Sequence, residues 1–545
     1  MILAGRTYAE LRSQFRWDVP LHFNIGVACS DAQPSADLAL IDVSPDGSSR
    51  RFTFGRLAEM SNRLANGLRA LGVERGDRVA LVLPAQAETA ISHLAIYKLG
   101  AVALPISVLF GVDALAHRFS DSDVKAVITD SQRLPRVQSA ASGLDEQHVI
   151  VVDGGRRSPT TDFQSLLDAG SNRLEAVPTL SDDAAFVIYT SGTTGNPKGA
   201  VHAHRALIGH QSGFRLSHDF FPQARDRFWS PADWAWIGGL MNGLLSAFYN
   251  GRPMVAARRE AFDPEWVAAF VDRYEIRNTF LPPTALRMMR NAGVRVKPGV
   301  LRTVMSGGEA LGADAYQWGL EHLGVSINEI YGQTEANYVI GGCGAAWDTR
   351  LGSIGLPYPG HDVRILRESG APADPGELGE IAIRADDPVV FLGYWRQAEQ
   401  TARKVVDGWV MTGDLAAADE DGYIWFNGRS DDVISSAGYR IGPEEIESSL
   451  ISHPAVVSAG VIGVPDDVRG QRVKAYVVVR EGEPTSSELA AELQTHVRQR
   501  LSAHEYPREI EFIEHLPVTV TGKISRKMLR ERHEVSLRSR AEVEG

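Results

Sequence analysis

Ala184-Ala-Phe-Val-Ile188 runs directly into Tyr189-Thr-Ser-Gly-Thr-Thr-Gly-Asn-Pro-Lys-Gly199. The first five residues read as a buried strand. The eleven that follow read as a glycine-rich loop with four hydroxyl residues and a lysine, which is the build of a polyphosphate cradle. Glycine lets the backbone approach an anion, N–H groups and hydroxyls donate to it, and Lys198 supplies a cation. A Walker loop would end Gly-Lys-[Ser/Thr] and open a helix. Here Pro197 precedes the lysine and Gly199 follows it, which disfavours a P-loop kinase.

On either side of this loop the chain alternates strand and helix. Arg78-Val-Ala-Leu-Val-Leu83 reads as a strand, residues 85–99 as a helix, and Ala101-Val-Ala-Leu-Pro105 as the next strand. Further apolar runs at 124–129 and 148–152 continue the pattern, which predicts α/β layers around largely parallel sheet. Later segments, Asp362-Val-Arg-Ile-Leu366, Gly379-Glu-Ile-Ala-Ile-Arg384 and Gly422-Tyr-Ile-Trp-Phe426, are short and alternating, as in a small barrel or antiparallel sheet. From Gly428-Arg-Ser-Asp-Asp432 the character changes to a compact α+β module. It has helices at 443–451 and 487–501, strands at 456–464 and 474–479, and a charged helical tail after Arg530. The expected fold class is therefore α/β: a large N-terminal domain of α/β layers with a small β-barrel-like subdomain, residues 1–429, followed by a small mobile α+β domain, residues 430–545.

At 545 residues, two or more domains are required. A net charge of −12 argues against a nucleic-acid partner, since phosphate backbones are held by basic patches. Cys29 and Cys343 are too few for a disulfide framework or a zinc site and read as reduced structural residues. The N-terminal residues lack the pattern of a signal peptide, and no apolar run reaches membrane-spanning length. The expectation is a cytoplasmic protein without a membrane span, its oligomeric state open between monomer and homodimer.

Further motifs follow in order: Tyr331-Gly-Gln-Thr-Glu335, Thr412-Gly-Asp-Leu415, Gly428-Arg-Ser-Asp-Asp-Val-Ile434, Gly438-Tyr-Arg-Ile-Gly-Pro-Glu-Glu-Ile-Glu447 and Thr521-Gly-Lys523. With the loop at 189–199, they make the chain resemble the adenylate-forming (AMP-binding) superfamily of acyl-CoA synthetases, adenylation domains and luciferases. Ser435-Ser-Ala-Gly-Tyr-Arg-Ile-Gly-Pro443 and Pro517-Val-Thr-Val-Thr-Gly-Lys523 look most like medium-chain acyl-CoA synthetases. The resemblance implies a two-step ligation. A carboxylic acid and MgATP give an acyl-adenylate and pyrophosphate, and the CoA thiol then displaces AMP.

It also implies roles. Lys523 bridges the carboxylate and the α-phosphate, Thr334 contacts the α-phosphate, Arg440 holds the phosphate region, and Glu335 binds Mg²⁺. ATP would be held by Thr190, Ser191, Gly192, Thr193, Thr194, Gly195 and Lys198, by Gly308, Glu309 and Gln333, by Tyr331 stacked on adenine, and by Asp414 and Arg429 on the ribose. Asp431 would be the hinge that carries Lys523 away after the first step and brings in Gly438 and Tyr439 for thioester formation. Arg469, Arg472 and Arg498 are candidates for the CoA phosphates. A carboxylate is already a nucleophile, so step one asks for charge neutralisation and placement more than for a protein base. For the second step no base is assigned.

Trp234, Trp236, Ile237, Gly238, Gly307 and Gly332 mark the acid pocket in this scheme. Acetyl-specific relatives carry a tryptophan at the position of Gly332 and β-branched residues near 238 and 307, so three glycines would open the pocket to medium-chain, branched or aromatic acids. The alternative is that each glycine serves the backbone and another bulky side chain, such as Trp234 or Met241, refills the space. Ala336-Asn337 also departs from relatives that place glycine there. Two other functions compete: an adenylation enzyme loading a carrier protein in trans, and an inactive nucleotide-binding regulator. Retention of Lys523, Glu335, Asp414 and Arg440 speaks against the regulator.

Overall fold

The computed structural model describes all residues except 1–6, 155–158, 191–196, 260, 310, 430–431, 433, 437–438, 467–469, 502–505, 520–522 and 545; at 435, 439, 440, 445 and 537–544 only the backbone is described. The chain divides into two compact units. One comprises Met1–Val363 and Ile383–Val410, the other Arg364–Ala382 and Met411–Gly545.

Two large sheets organise the first unit. Among the described residues, nine strands stand in the spatial order Leu356–Pro357, Ala336–Gly341, Ile327–Gln333, Thr303–Gly307, Asn278–Phe280, Phe228–Trp229, Met254–Ala257, Leu38–Val43, Ser49–Thr53. Pairing is parallel from Leu38–Val43 through Ile327–Gln333 and antiparallel at the edges. Eight strands form the second sheet, ordered Gly393–Tyr394, Lys198–Ala203, Ala184–Thr190, Val102–Pro105, Arg78–Val82, Val124–Thr129, Val149–Val151, Thr161–Asp162. Its interior strands are continuous apolar runs because helices cover both faces of such a sheet, and Val79, Ala80, Ala103, Phe186 and Val187 are fully buried. Helix Phe54–Ala70 illustrates the covering layer. Thr53 caps its first turn through Arg56 N–H, and Phe54, Leu57, Leu64 and Leu68 fall on one buried stripe.

In the second unit, largely, Val363–Leu366, Gly379–Arg384 and Trp409–Ala418 neighbour one another in that order, with Ile424–Arg429 antiparallel to Trp409–Ala418. These are the short alternating segments expected of a barrel-like subdomain. The α+β module follows. Its sheet runs Tyr439–Ile441, Ile434–Ser436, Gly470–Val479, Val456–Asp466, with Glu509–Phe512 parallel to Gly470–Val479. Helices Pro443–Ile451 and Ser487–Arg500 pack Ile446, Leu450, Leu489, Leu493 and Val497 against Val461, Val473 and Ala475. Charged residues after Arg530 belong to helix Arg526–Glu544. Cys29 and Cys343 are buried and unpaired, and among the described residues no helix is long and apolar enough to cross a membrane.

Candidate active site

Strands Ala184–Thr190 and Lys198–Ala203 pair antiparallel, so Thr190 and Lys198 face each other at the mouth of the loop. Ser191, Gly192, Thr193, Thr194 and Gly195 lie outside the described residues. The base of the loop is fixed from helix Val112–Ser122 and beside it. His117 Nε2 donates to the Pro197 carbonyl at 3.2 Å, and the Tyr189 hydroxyl donates to Asp121 at 2.5 Å. The Lys198 ammonium lies 5.4 Å from the centre of the Tyr394 ring, and Tyr394 stands opposite Ala200 in the same sheet. The Tyr394 hydroxyl in turn donates to Glu335 Oε1 at 2.5 Å. Two motifs separated by more than a hundred residues thus meet on one tyrosine.

Thr334 and Glu335 form the two-residue tip between strands Ile327–Gln333 and Ala336–Gly341, where Gln333 pairs with Ala336. Tight connection of antiparallel strands holds the tip in one register. The Phe391 N–H also donates to the Glu335 carbonyl, at 2.9 Å. Tyr331 is nearly buried, at 9% exposure. On the neighbouring strand end, Gly308 takes φ +98°, a region glycine alone enters cheaply. Glu309 is held by Arg287 at 2.6 Å and by the Thr284 hydroxyl at 3.3 Å.

Around the expected acid pocket the structure shows what stands beside each glycine. A Cβ at Gly238 would lie 2.9 Å from the Phe280 ring, at Gly307 2.6 Å from the Ile330 carbonyl oxygen, and at Gly332 2.4 Å from the Tyr338 nitrogen. At each of the three positions a close neighbour stands where a side chain would begin. Phe280, Ile330 and the backbone of 337–338 are those neighbours. Trp234 is buried, and Trp236 packs edge-on against Phe110 with ring centres 6.0 Å apart. Ile237–Gly239 makes one helical turn and passes into a π-helical stretch, Leu240–Leu245. Such stretches recur at functional sites.

In the second unit Asp414 is buried within strand Trp409–Ala418 and faces Arg429 across the pairing with Ile424–Arg429, at 3.3 Å. Its position is fixed by neighbours: Gly413 N–H donates to Glu380 at 2.6 Å and the Thr412 hydroxyl to the Ile381 carbonyl at 2.7 Å. Lys523 is exposed. Its N–H donates to Thr519 Oγ1 at 3.3 Å, and its carbonyl accepts from Thr519 N–H at 2.7 Å. Arg440 lies in strand Tyr439–Ile441 opposite Ser435; the side chains of Tyr439 and Arg440 are outside the described set. Asp431, Gly438 and Arg469 are outside it altogether. Arg472 is engaged by Glu509 at 3.1 Å, and Arg498 lies over the Tyr506 ring at 5.6 Å.

The AMP-binding enzyme family matches residues 29–395, and its C-terminal domain matches residues 445–523. The chain belongs to the AMP-binding enzyme family. Among its relatives, the acetyl-coenzyme A synthetase of Bacillus subtilis is 35% identical over 88% of this chain and 85% of its own length. The mitochondrial acyl-coenzyme A synthetase ACSM3 of Mus musculus is 31% identical over 97% of this chain and 94% of its own. Of the solved structures, an anthranilate CoA ligase, AuaEII, in complex with anthranoyl-AMP superposes with a TM-score of 0.85 at 30% identity, covering 95% of this chain and 99% of that one. This family member is an AMP-forming CoA ligase.

Within the AMP-binding framework the sequence missed Tyr394, which joins Lys198 to Glu335. Phe391-Leu-Gly-Tyr-Trp395 has no local chemical signature, and only pairing with the strand after the phosphate loop reveals the role. Arg526 was missed as well. It reaches Glu447 at 2.7 Å and Asp432 at 3.2 Å, and Arg530 also contacts Asp432. The signal lay in the sequence as two arginines one helical turn apart, three and seven residues after Lys523.

Proposed function

We propose that this enzyme activates a nonpolar carboxylic acid with MgATP and transfers the acyl group to CoA, with medium-chain or branched acids as its substrates. The observation that carries the reading is the meeting of Lys198 and Glu335 on Tyr394. A cation from the phosphate loop and a carboxylate from a hairpin tip each contact the same tyrosine, whose hydroxyl donates to one carboxylate oxygen. A single carboxylate suits Mg²⁺, which binds oxygen and keeps several waters or phosphate oxygens of its own. Bound there, the ion would neutralise charge on the triphosphate.

The protein's own part in the first step is placement. Thr190 and Lys198, with the glycines and hydroxyls at 191–195, hold the β- and γ-phosphates. Tyr331, Gly308 and Glu309 enclose the adenine, Gln333 adds a polar contact, and Asp414 with Arg429 accepts and donates at the ribose. Thr334, Arg440 and Lys523 meet the α-phosphate, where the acid's carboxylate attacks in line and pyrophosphate leaves. Rotation at Asp431 of a mobile domain, residues 430–545, then withdraws Lys523 and presents Gly438 and Tyr439 to the acyl-adenylate. The CoA thiol forms the thioester bond and AMP departs, with Arg469, Arg472 and Arg498 as partners for the CoA phosphates.

The acid's tail is assigned from the apolar character of the side chains beside the pocket residues: Phe280, Ile330, and Phe110 against Trp236. Each buried CH₂ gains about 0.8 kcal/mol against such a wall. The paired aromatic rings favour one second reading, an aryl acid. Small molecules are its only partners in this scheme, in the cytoplasm, as monomer or homodimer. Acid-dependent release of pyrophosphate followed by CoA-dependent release of AMP tests the reading. Pyrophosphate without AMP on free CoA would move the acceptor to a carrier protein, and no acid-dependent pyrophosphate would leave a nucleotide-binding regulator.

A further inference from the structure

Two peculiarities of the chain, the missing side chain at Gly332 and the polar side chain at Asn337, are one feature in three dimensions. The backbone of residues 337–338 lies directly over Gly332, with Asn337 Cα 2.7 Å from where a Cβ would stand. From there Asn337, 4% exposed, turns its amide inward. Nδ2 donates one hydrogen to Asn242 Oδ1 at 2.5 Å and the other to His210 Nε2 at 3.1 Å. His210 Nδ1 donates to the Ala206 carbonyl at 2.6 Å, which leaves the lone pair on Nε2 where the amide needs it. Burial keeps the ring neutral, its pKa pushed down to about 4. Asn242 belongs to the π-helical stretch Leu240–Leu245 that continues the Trp234, Trp236, Ile237 and Gly238 segment.

The next residue shows that this placement is enforced. Tyr338 is fully buried with φ +68°, a conformation that costs a bulky residue roughly 1–3 kcal/mol. It is pinned where it lies: its hydroxyl meets Ser217 Oγ at 2.6 Å, and its ring passes where a Cβ of Gly213 would be only 2.2 Å away. An apolar side chain at 337 would satisfy burial equally well. The retained polar chain instead fixes relative position, because each bond is directional and every break leaves a buried group unmet.

We propose that Asn337 is a positioning residue that determines acid selectivity. Through Asn242 and His210 it ties the acid-pocket segment to the hairpin tip of Thr334 and Glu335, so that the wall against the acid's tail and the residues at the α-phosphate keep one spacing. The inference rests on the synthetase reading and names what sets the substrate within it.

The test compares kcat/KM for acetate, butyrate, hexanoate and benzoate in the wild-type enzyme, Asn337→Leu, Asn242→Leu and the double variant. Each single variant should change the hexanoate-to-butyrate ratio by about tenfold, the scale of one methylene's discrimination, with KM for ATP within about threefold. The double variant should add nothing further, as for two ends of one contact. Equal loss on every acid, or an unchanged ratio in variants that fold, overturns the proposal. Asn337→Ser, which keeps a small buried donor, decides the matter by the same ratio if the leucine variants do not fold. Wild-type enzyme lacking acid-dependent pyrophosphate release would overturn the synthetase reading instead.

Discussion

Thr334 and Glu335 stand at the tip of a hairpin whose following strand is buried throughout, held by the Tyr394 hydroxyl, the Phe391 N–H and the bonds from Asn337 to Asn242 and His210. Lys523 is exposed, and its described contacts run through its own backbone to Thr519. Its surroundings in the second unit are stiffened elsewhere, by the charges of Asp432, Glu447, Arg526 and Arg530. Hydrogen bonds hold the hairpin tip, the one from Tyr394 charge-assisted, whereas ion pairs stiffen the unit that carries Lys523. Such a contrast suits the proposed alternation, in which Thr334 keeps one place through both steps and Lys523 enters and leaves.

Lys523→Ala puts the largest strain on that comparison. Adenylation should fall by about 10²- to 10³-fold, the scale for removing one group that stabilises transition-state charge, while thioester formation from supplied acyl-adenylate stays within about threefold. Equal loss in both half-reactions would mean that the lysine does not alternate.

Arg526→Gln probes the frame rather than the tip. It would take the arginine from Glu447 and leave Asp432 with Arg530 alone, at a side chain only 12% exposed. Stability of the α+β module should drop by about 3 kcal/mol, read as a lower denaturant midpoint. A midpoint unchanged within error would show that the frame is ornamental.

Tyr394→Phe removes one charge-assisted bond from Glu335 and keeps the ring beneath Lys198. Roughly tenfold lower kcat/KM for ATP is expected, about 1.4 kcal/mol, measured by pyrophosphate release at limiting Mg²⁺. No change would remove Tyr394 from the account of the site.

The smallest effect concerns pH. Glu329, on the strand leading to the tip, has its carboxyl pushed up to about 7 by burial, against an ordinary 4.5. A raised acid contributes stability that is fully present below about pH 4.5 and is lost as pH rises through 7. Glu329→Gln should therefore flatten the difference in denaturant midpoint between pH 5 and pH 8. A difference as large as in the wild type would assign it to other groups.

Much of this was legible in one dimension. Apolar runs at 78–83, 101–105 and 124–129 became parallel strands because layers buried on both faces need uninterrupted hydrophobic residues, and the helix at 443–451 began at its proline, where no N–H is needed. The motif residues Lys198, Glu335, Asp414 and Lys523 announced themselves through unusual neighbours in the chain. Tyr394, His210 and Asn242 did not, since each acts through a partner far away in sequence and looks locally like core. Gly238, Gly307 and Gly332 were ambiguous for a related reason. A missing side chain tells nothing of what has moved into its place, and here Phe280, Ile330 and the 337–338 backbone have done so.

The central claim is tested most directly by CoA-dependent AMP release across straight, branched and aromatic acids from C2 to C12. The account predicts weak turnover of acetate and a higher kcat/KM for acids longer than C3, in line with an apolar wall that gains from each added methylene. An optimum at acetate would contradict it.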